Sequence, residues 1–93
     1  MYAGIVEVDT SGVDREEGIK NLRENIVPAV SQLPGFQSGT WTSAPEERKG
    51  LALVTFDTEE NAQAAAERFG VGANPQPGVT VERSEVREVV ATA

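Results

Sequence analysis

Apolar positions along the first residues alternate without leaving either side polar. Tyr2, Gly4, Val6 and Val8 fall on one face of an extended chain and Ala3, Ile5 and Glu7 on the other. Such a strand has apolar neighbours on both faces and belongs in the middle of a sheet. Asp9-Thr10-Ser11-Gly12 is turn chemistry. The period then changes: Ile19, Leu22, Ile26, Val30 and Leu33 recur at spacings of three and four, one stripe of a helix. Asp14 is the predicted N-cap, with Glu17 as its capping-box partner, and Glu16 and Glu17 suit the positive end of the helix dipole. Pro28 interrupts the stripe. A proline inside a helix removes a backbone hydrogen bond and crowds the preceding turn, which predicts a kink or break near Glu24 to Val27. The bend either wraps the helix over a sheet or opens a pocket beneath it.

Pro34 and Gly35 stop this helix, and the chain turns directly into a second strand, Phe36 to Ser43. Strict alternation places Phe36, Ser38, Thr40 and Thr42 on one face and Gln37, Gly39, Trp41 and Ser43 on the other. Ala44 to Gly50 reads as a polar hairpin loop. Leu51 to Phe56 is a continuous apolar run apart from Thr55, as in a strand buried on both faces. Asp57 or Thr58 caps a second helix with Glu59 and Glu60 in its first turn and an apolar stripe of Ala62, Ala65, Ala66 and Phe69. Gly70 is the predicted left-handed C-cap. After a loop stiffened by Pro75 and Pro77, Val79 to Val90 forms a last strand. Its valines alternate imperfectly with Glu82, Arg83, Glu85, Arg87 and Glu88, charges that suit a sheet edge.

The order is βαββαβ. Two right-handed crossovers interlock into an α+β, ferredoxin-like fold: a four-stranded antiparallel sheet of order 4-1-3-2 with both helices on one face. The whole chain, residues 1–93, makes one domain. Helices cover only one side of this sheet, yet Ile5 opposes Val6 and Leu53 opposes Val54 across it. A single copy would leave an apolar face wet. A large exposed apolar patch marks an interface, and packing against a second copy about a two-fold axis is the simplest way to cover it.

Composition narrows the chemistry. The net charge is −7, and the only adjacent basic pair, Arg48-Lys49, follows Glu46-Glu47. Nucleic-acid binding needs clustered cations, so no nucleic-acid partner is expected. The chain has neither cysteine nor histidine. Thiolate catalysis, a histidine base and the usual zinc, iron–sulfur and haem ligands are therefore missing. No cofactor and no metal are expected. No N-terminal apolar run follows a basic start and no segment approaches membrane-spanning length, so the expectation is a cytoplasmic protein with no membrane partner.

Several segments together resemble one known family. They are the kinked helix Ile26-Val27-Pro28-Ala29-Val30, the turn Leu33-Pro34-Gly35-Phe36, the Gly39-x-Trp41 strand, and the passage from Val54-Thr55-Phe56-Asp57-Thr58 to Ala62. With the topology, they make nearly the whole chain similar to the dimeric α/β-barrel superfamily, and within it to antibiotic-biosynthesis-monooxygenase-like (ABM) domains. The resemblance implies two sheets packed face to face as a barrel in a homodimer, with helices outside and a ligand between each sheet and its own helices. Members include cofactor-free oxygenases of polycyclic phenols and quinols, haem-degrading enzymes, and domains with no assigned activity. Haem-degrading members use a histidine ligand, which this chain does not have.

The resemblance leaves three functional readings. One is a homodimeric domain that binds a small aromatic ligand, with activity unassigned. Another is a cofactor-independent monooxygenase of an aromatic or quinol substrate. The last is a purely structural dimerisation module. Candidate ligand-binding residues are Trp41, Asn21, Asn25, Phe56 and Tyr2. Trp41, the single tryptophan, either fills the core or interface or stacks on a planar ligand. Tyr2 is a strand-end packing residue or a phenolate-orienting one. Asn21 and Asn25 lie four apart on one helical side, either solvated or as a pair of pocket amides; Asn61 is read as exposed. Glu7 and Asp9 share a strand face, where Glu7 is a conceivable base or a partner for Arg83 or Arg87. Asp57-Thr58-Glu59-Glu60 is a helix cap rather than a cation site. Gly70-Val71-Gly72 follows a helix rather than preceding one and lacks the context of a phosphate loop. A cleft lined by Trp41, Phe56 and an asparagine would favour the oxygenase. One filled by Leu22, Ile26, Phe56 and Phe69 would favour the structural module.

Overall fold

The computed structural model describes all residues, 1–93. Four strands form one antiparallel sheet: β1 (Tyr2–Asp9), β2 (Phe36–Ala44), β3 (Lys49–Phe56) and β4 (Thr80–Glu88). Their order across the sheet is β2-β3-β1-β4, the expected 4-1-3-2 read from the opposite edge. β1 is central, paired along its length with β3 on one side and β4 on the other. Between β1 and β2 runs a helical arm made of α1 (Arg15–Asn21), a π-helical turn (Leu22–Ile26) and α2 (Val27–Ser31). Between β3 and β4 lies α3 (Glu59–Arg68).

Capping chemistry sets the helix starts. The Asp14 carboxylate accepts the Glu17 amide at 3.3 Å, and the Thr58 hydroxyl accepts the Asn61 amide at 3.1 Å, which settles the cap on Thr58 rather than Asp57. The Pro28 kink takes a definite form. The chain stays helical through Glu24 to Val27 but widens, with the Val27 amide donating to the Leu22 carbonyl five residues back. A π-turn absorbs the missing proline N–H and the crowding of its ring without breaking the helix. At the far end of α3 the expected left-handed Gly70 is not found. The helix ends on Phe69 with φ −116°, and the left-handed residue is Gly72, φ 90°. There the Gly72 amide is aimed at the Val81 carbonyl, 2.8 Å away, so the loop turns where β4 can receive it.

Two β-bulges correct the alternation expected from sequence. Phe36 pairs with Phe56 and Ser38 with Thr55, leaving Gln37 as an extra residue. The bulge moves Phe36 onto the face of Gly39 and Trp41, opposite to strict alternation. There its ring meets Phe56 edge-on, with centroids 6.4 Å apart and planes at 83°. Likewise Glu7 pairs with Arg83 and Val8 with Val81, leaving Glu82 unpaired in β4. This bulge is why the charges and valines of β4 alternate imperfectly: Val81, Ser84 and Val86 all oppose helix-side residues of β1, and Arg83, Glu85 and Arg87 take the other face.

The core lies on one face of the sheet. Val54 and Phe56 of β3 meet Val30 of α2 and Ala62 and Ala65 of α3. The alanines bring α3 down onto β1, β3 and β4, while α2 rests on β2. The α1 end of the helical arm stands off from the strands. Only ten of the 93 residues are buried. That thin core leaves two features unfilled: a cavity under the helical arm, and a bare sheet face on which Leu51 and Leu53 are 37% and 44% exposed. No helix is long and apolar enough to cross a membrane.

Candidate functional site

A cavity of about 170 Å³ lies between the sheet and the helical arm. Its floor combines small residues, Gly4 of β1, Gly50 and Ala52 of β3 and Ser84 of β4, with Val6 and Val8 of β1. Its roof is the apolar stripe of the arm, Ile19, Leu22 and Ile26, none of which is fully buried. Small residues below and a stand-off helix above leave a gap that no side chain enters. The cavity therefore follows from the placement of glycine and alanine on the helix-side face.

Trp41 and Phe56 both line it. Trp41 is held by Gly39. A methyl group placed on Gly39 would come within 2.6 Å of the outer carbons of the indole ring, so the ring lies back against the glycine's own backbone. This is the structural sense of the Gly39-x-Trp41 pattern: only glycine leaves room for the indole in this pose. Trp41 is half-buried, and its indole N–H has no hydrogen-bond partner in the chain and is open to solvent.

The remaining candidates lie elsewhere. Asn21 and Asn25 do not line the cavity. Asn25 donates its amide to Asn21, and Asn21 donates in turn to the Gln76 side-chain oxygen at 3.0 Å. Gln76 completes the chain by donating to the Gly18 carbonyl at 3.3 Å. The amides are thus a latch that ties the loop before β4 to α1, and Gln76 is the amide that reaches the cavity wall. Tyr2 packs against the far end of the core and places its hydroxyl 3.4 Å from Glu88. The Glu88 carboxylate, with some help from burial and from Glu59, raises the phenol pKa above its ordinary 10.0. Asn61 donates to Asp57 at 2.9 Å at the start of α3.

No protein-family model matches the sequence, and no curated protein matches it. Functional inference therefore rests on the geometry itself.

Glu7 and Asp9 lie on the open face of β1, away from the cavity. Glu7 sits opposite Arg83 in register, but Arg83 turns to Glu85, 3.4 Å away. The Asp9 carboxylate accepts the Ser11 amide at 2.7 Å; the Ser11 side chain and amide hold its pKa below the ordinary 3.8. Lys49 is ion-paired with Glu82 across the end of β1, which raises its pKa above 10.5.

The cavity end where β1 finishes is built by loops, and Arg48 fastens them. Its backbone is left-handed, φ 56°, so its carbonyl accepts the Thr10 amide at 2.9 Å while its guanidinium donates to the Val13 carbonyl at 3.0 Å. Sequence reasoning took Arg48 only as part of a balanced turn. Arg15, also on the cavity wall, was not singled out, because nothing in its local pattern separates it from any first-turn residue of a helix.

Proposed function

We propose that this chain is the protomer of a homodimer that binds a small apolar ligand, such as a one-ring aromatic, in the cavity between its sheet and its helical arm. The observation that carries the reading is the cavity itself, an apolar space beside the single tryptophan. Its size sets the class of ligand. Pockets for drug-sized molecules run from about 300 Å³ upward, whereas a closed apolar cavity of about 150 Å³ takes benzene. At about 170 Å³ the space suits one ring or a short alkyl chain better than a polycyclic body.

The dimer reading is supported by the bare sheet face. Ile5 opposes Leu53 in register at its centre, and much of its polar flank is already paired within the protomer. Ser38 and Thr55 share a hydrogen bond of 2.6 Å on one side. On the other side Glu85 lies between Arg83 and Arg87. Paired groups cost less to bury than free ones, and Glu7, which has no ion pair on this face, would take a cation from the second copy. A cofactor-independent oxygenase needs a polar group free to hold an oxyanion. The side-chain amide at the cavity, Gln76, is engaged at both ends in the latch, so it is not the group that would hold an oxyanion, and the reading commits to binding.

Native mass spectrometry combined with titration of Trp41 fluorescence tests the reading. A dimer whose tryptophan emission responds saturably to a neutral one-ring probe such as toluene is expected. Ala52→Leu, which adds bulk to the cavity floor, should abolish the response while the dimer persists. A monomer with no saturable response would refute both parts of the proposal.

A further inference from the structure

The cavity is charged at one end only, and the sign of that charge is the opposite of the chain's. Fifteen acidic residues outnumber eight basic ones. Yet the only charged residues on the cavity wall are Arg15 and Lys49, and no carboxylate lines it. Both cations belong to the same end. β1 runs along the floor from Gly4 to Thr10, six residue steps or about 20 Å. Gly4 pairs with Val54, near Phe56, at the apolar end. At the other end Asp9 pairs with Lys49, and the Thr10 amide reaches Arg48. The Arg48 guanidinium brings Val13 to this same place, two residues before Arg15. The hydroxyl-bearing residues Thr10 and Ser43 line this end as well.

The two cations are not equivalent. Lys49 is neutralised by Glu82. The Arg15 side chain has no carboxylate within ion-pair distance and no hydrogen bond within the chain, so its guanidinium is free to receive an anion. A guanidinium presents a planar fork of donors that matches a carboxylate in bidentate fashion.

From this arrangement we infer that the ligand is a small amphiphilic anion. It would set a carboxylate against Arg15 and one ring or a short alkyl chain against the apolar wall at that end, Val8, Val13 and Ile19. The inference rests on the cavity reading above and adds the charge and orientation of the ligand.

Phenylacetate and its neutral isostere phenylacetamide separate the two ideas. Both are titrated by calorimetry, against the natural chain and against Arg15→Gln. Arg15 is exposed and its side chain makes no ion pair or hydrogen bond, and circular dichroism checks that the variant is folded. The expected result is saturable binding of both probes, with phenylacetate about tenfold tighter. That preference should shrink as salt is raised and vanish in Arg15→Gln, while phenylacetamide binds both proteins alike. Equal affinity for the two probes, or a preference that survives in Arg15→Gln, overturns the anion assignment and leaves the cavity reading standing. Absence of saturable binding by either probe overturns both.

Discussion

Gly12 and Gly78 meet backbone to backbone. The Gly12 amide donates to the Gly78 carbonyl at 3.2 Å, joining the loop after β1 to the loop before β4. A Cβ on Gly12 would lie 2.7 Å from the Gly78 oxygen, and one on Gly78 would lie 2.2 Å from the Gly12 oxygen. Gly78 is also left-handed, φ 82°. No other residue fits at either position without parting the two loops, and with the Asn21–Gln76 latch they close the same side of the cavity.

Gly12→Ala should therefore destabilise the fold by about 1–3 kcal/mol. Gly78→Ala should cost more, because left-handed strain adds to the clash. Since both substitutions break one contact, the double variant should cost less than the sum of the two. Urea midpoints measured at constant m-value check all three. Additive losses would mean that the loops are not coupled through this contact.

Gly39→Ala addresses the seat of the tryptophan. The added methyl would overlap the indole ring, so Trp41 must swing out into the cavity. The expected outcomes are a shifted emission maximum, a smaller cavity and weaker probe binding, at a modest stability loss of about 1 kcal/mol. Unchanged emission and binding would place the ring elsewhere.

Much of the architecture was legible because it depends on periodicity. The alternation in β1, the stripe from Ile19 to Leu33, the alanines of α3 and the Thr58 cap all stand where their spacing puts them. What alternation could not reveal was where a strand gains a residue. Gln37 and Glu82 are ordinary strand residues locally. They become bulges only because Phe36 gains a ring partner in Phe56 and Val81 gains a place in the core. Pro28 announced a distortion, but the π-turn that absorbs it depends on how the arm lies over the sheet. Gly70 and Gly72 are equally good left-handed residues in isolation, and the Val81 carbonyl selects the second. For the candidate site, aromatic character pointed to Trp41 and Phe56. Asn21 and Asn25 were singled out for their amides, and the structure uses those amides as a latch. The cavity itself arises from what is small, Gly4, Gly50 and Ala52, and absence of bulk carries no signal until the strands are side by side.

The bare sheet face gives a further test. Leu53 projects from it beside Ile5 and is 44% exposed in the single chain, so a charge there costs the protomer little. Leu53→Glu should fold, with cooperative unfolding, yet run as a monomer or aggregate. A burial penalty of several kcal/mol for an unpaired carboxylate on each side of a two-fold interface exceeds what the remaining contacts supply. Sedimentation or light scattering against the natural chain is the measurement, and a well-folded Leu53→Glu dimer would remove this face from the assembly.

Acid should weaken the fold through two carboxylates. The Ser11 hydrogen bonds depress the Asp9 pKa below 3.8, and Arg87 depresses that of Glu85 below 4.5. A group with a lowered folded-state pKa stabilises the fold above its ordinary value, and that contribution disappears as pH falls through the folded value. Stability should therefore be level near neutrality and decline below about pH 4.5. In Asp9→Asn part of that decline should be missing. A variant that declines as steeply as the natural chain would show that Asp9 contributes nothing to acid sensitivity.

Tyr2 is the only tyrosine, so the phenolate absorbance of the whole protein reports one group. Its neighbour Glu88 is the leading cause of its raised pKa, with burial and Glu59 adding to it. Forming a phenolate beside a carboxylate is unfavourable in the fold and not in the unfolded chain. Folding is thus supported below pH 10.0, the ordinary value, and that support is lost as pH rises through the folded value. The absorbance midpoint should lie above 10.0 in the natural chain and move down toward it in Glu88→Gln, with Glu59 left to hold part of the shift. High salt should move it the same way, since the Tyr2–Glu88 contact is exposed and open to screening. A midpoint indifferent to both changes would mean that the Tyr2 hydroxyl does not sit beside Glu88. The end of β1 would then be packed differently from the register that pairs Tyr2 with Glu88 and Phe56.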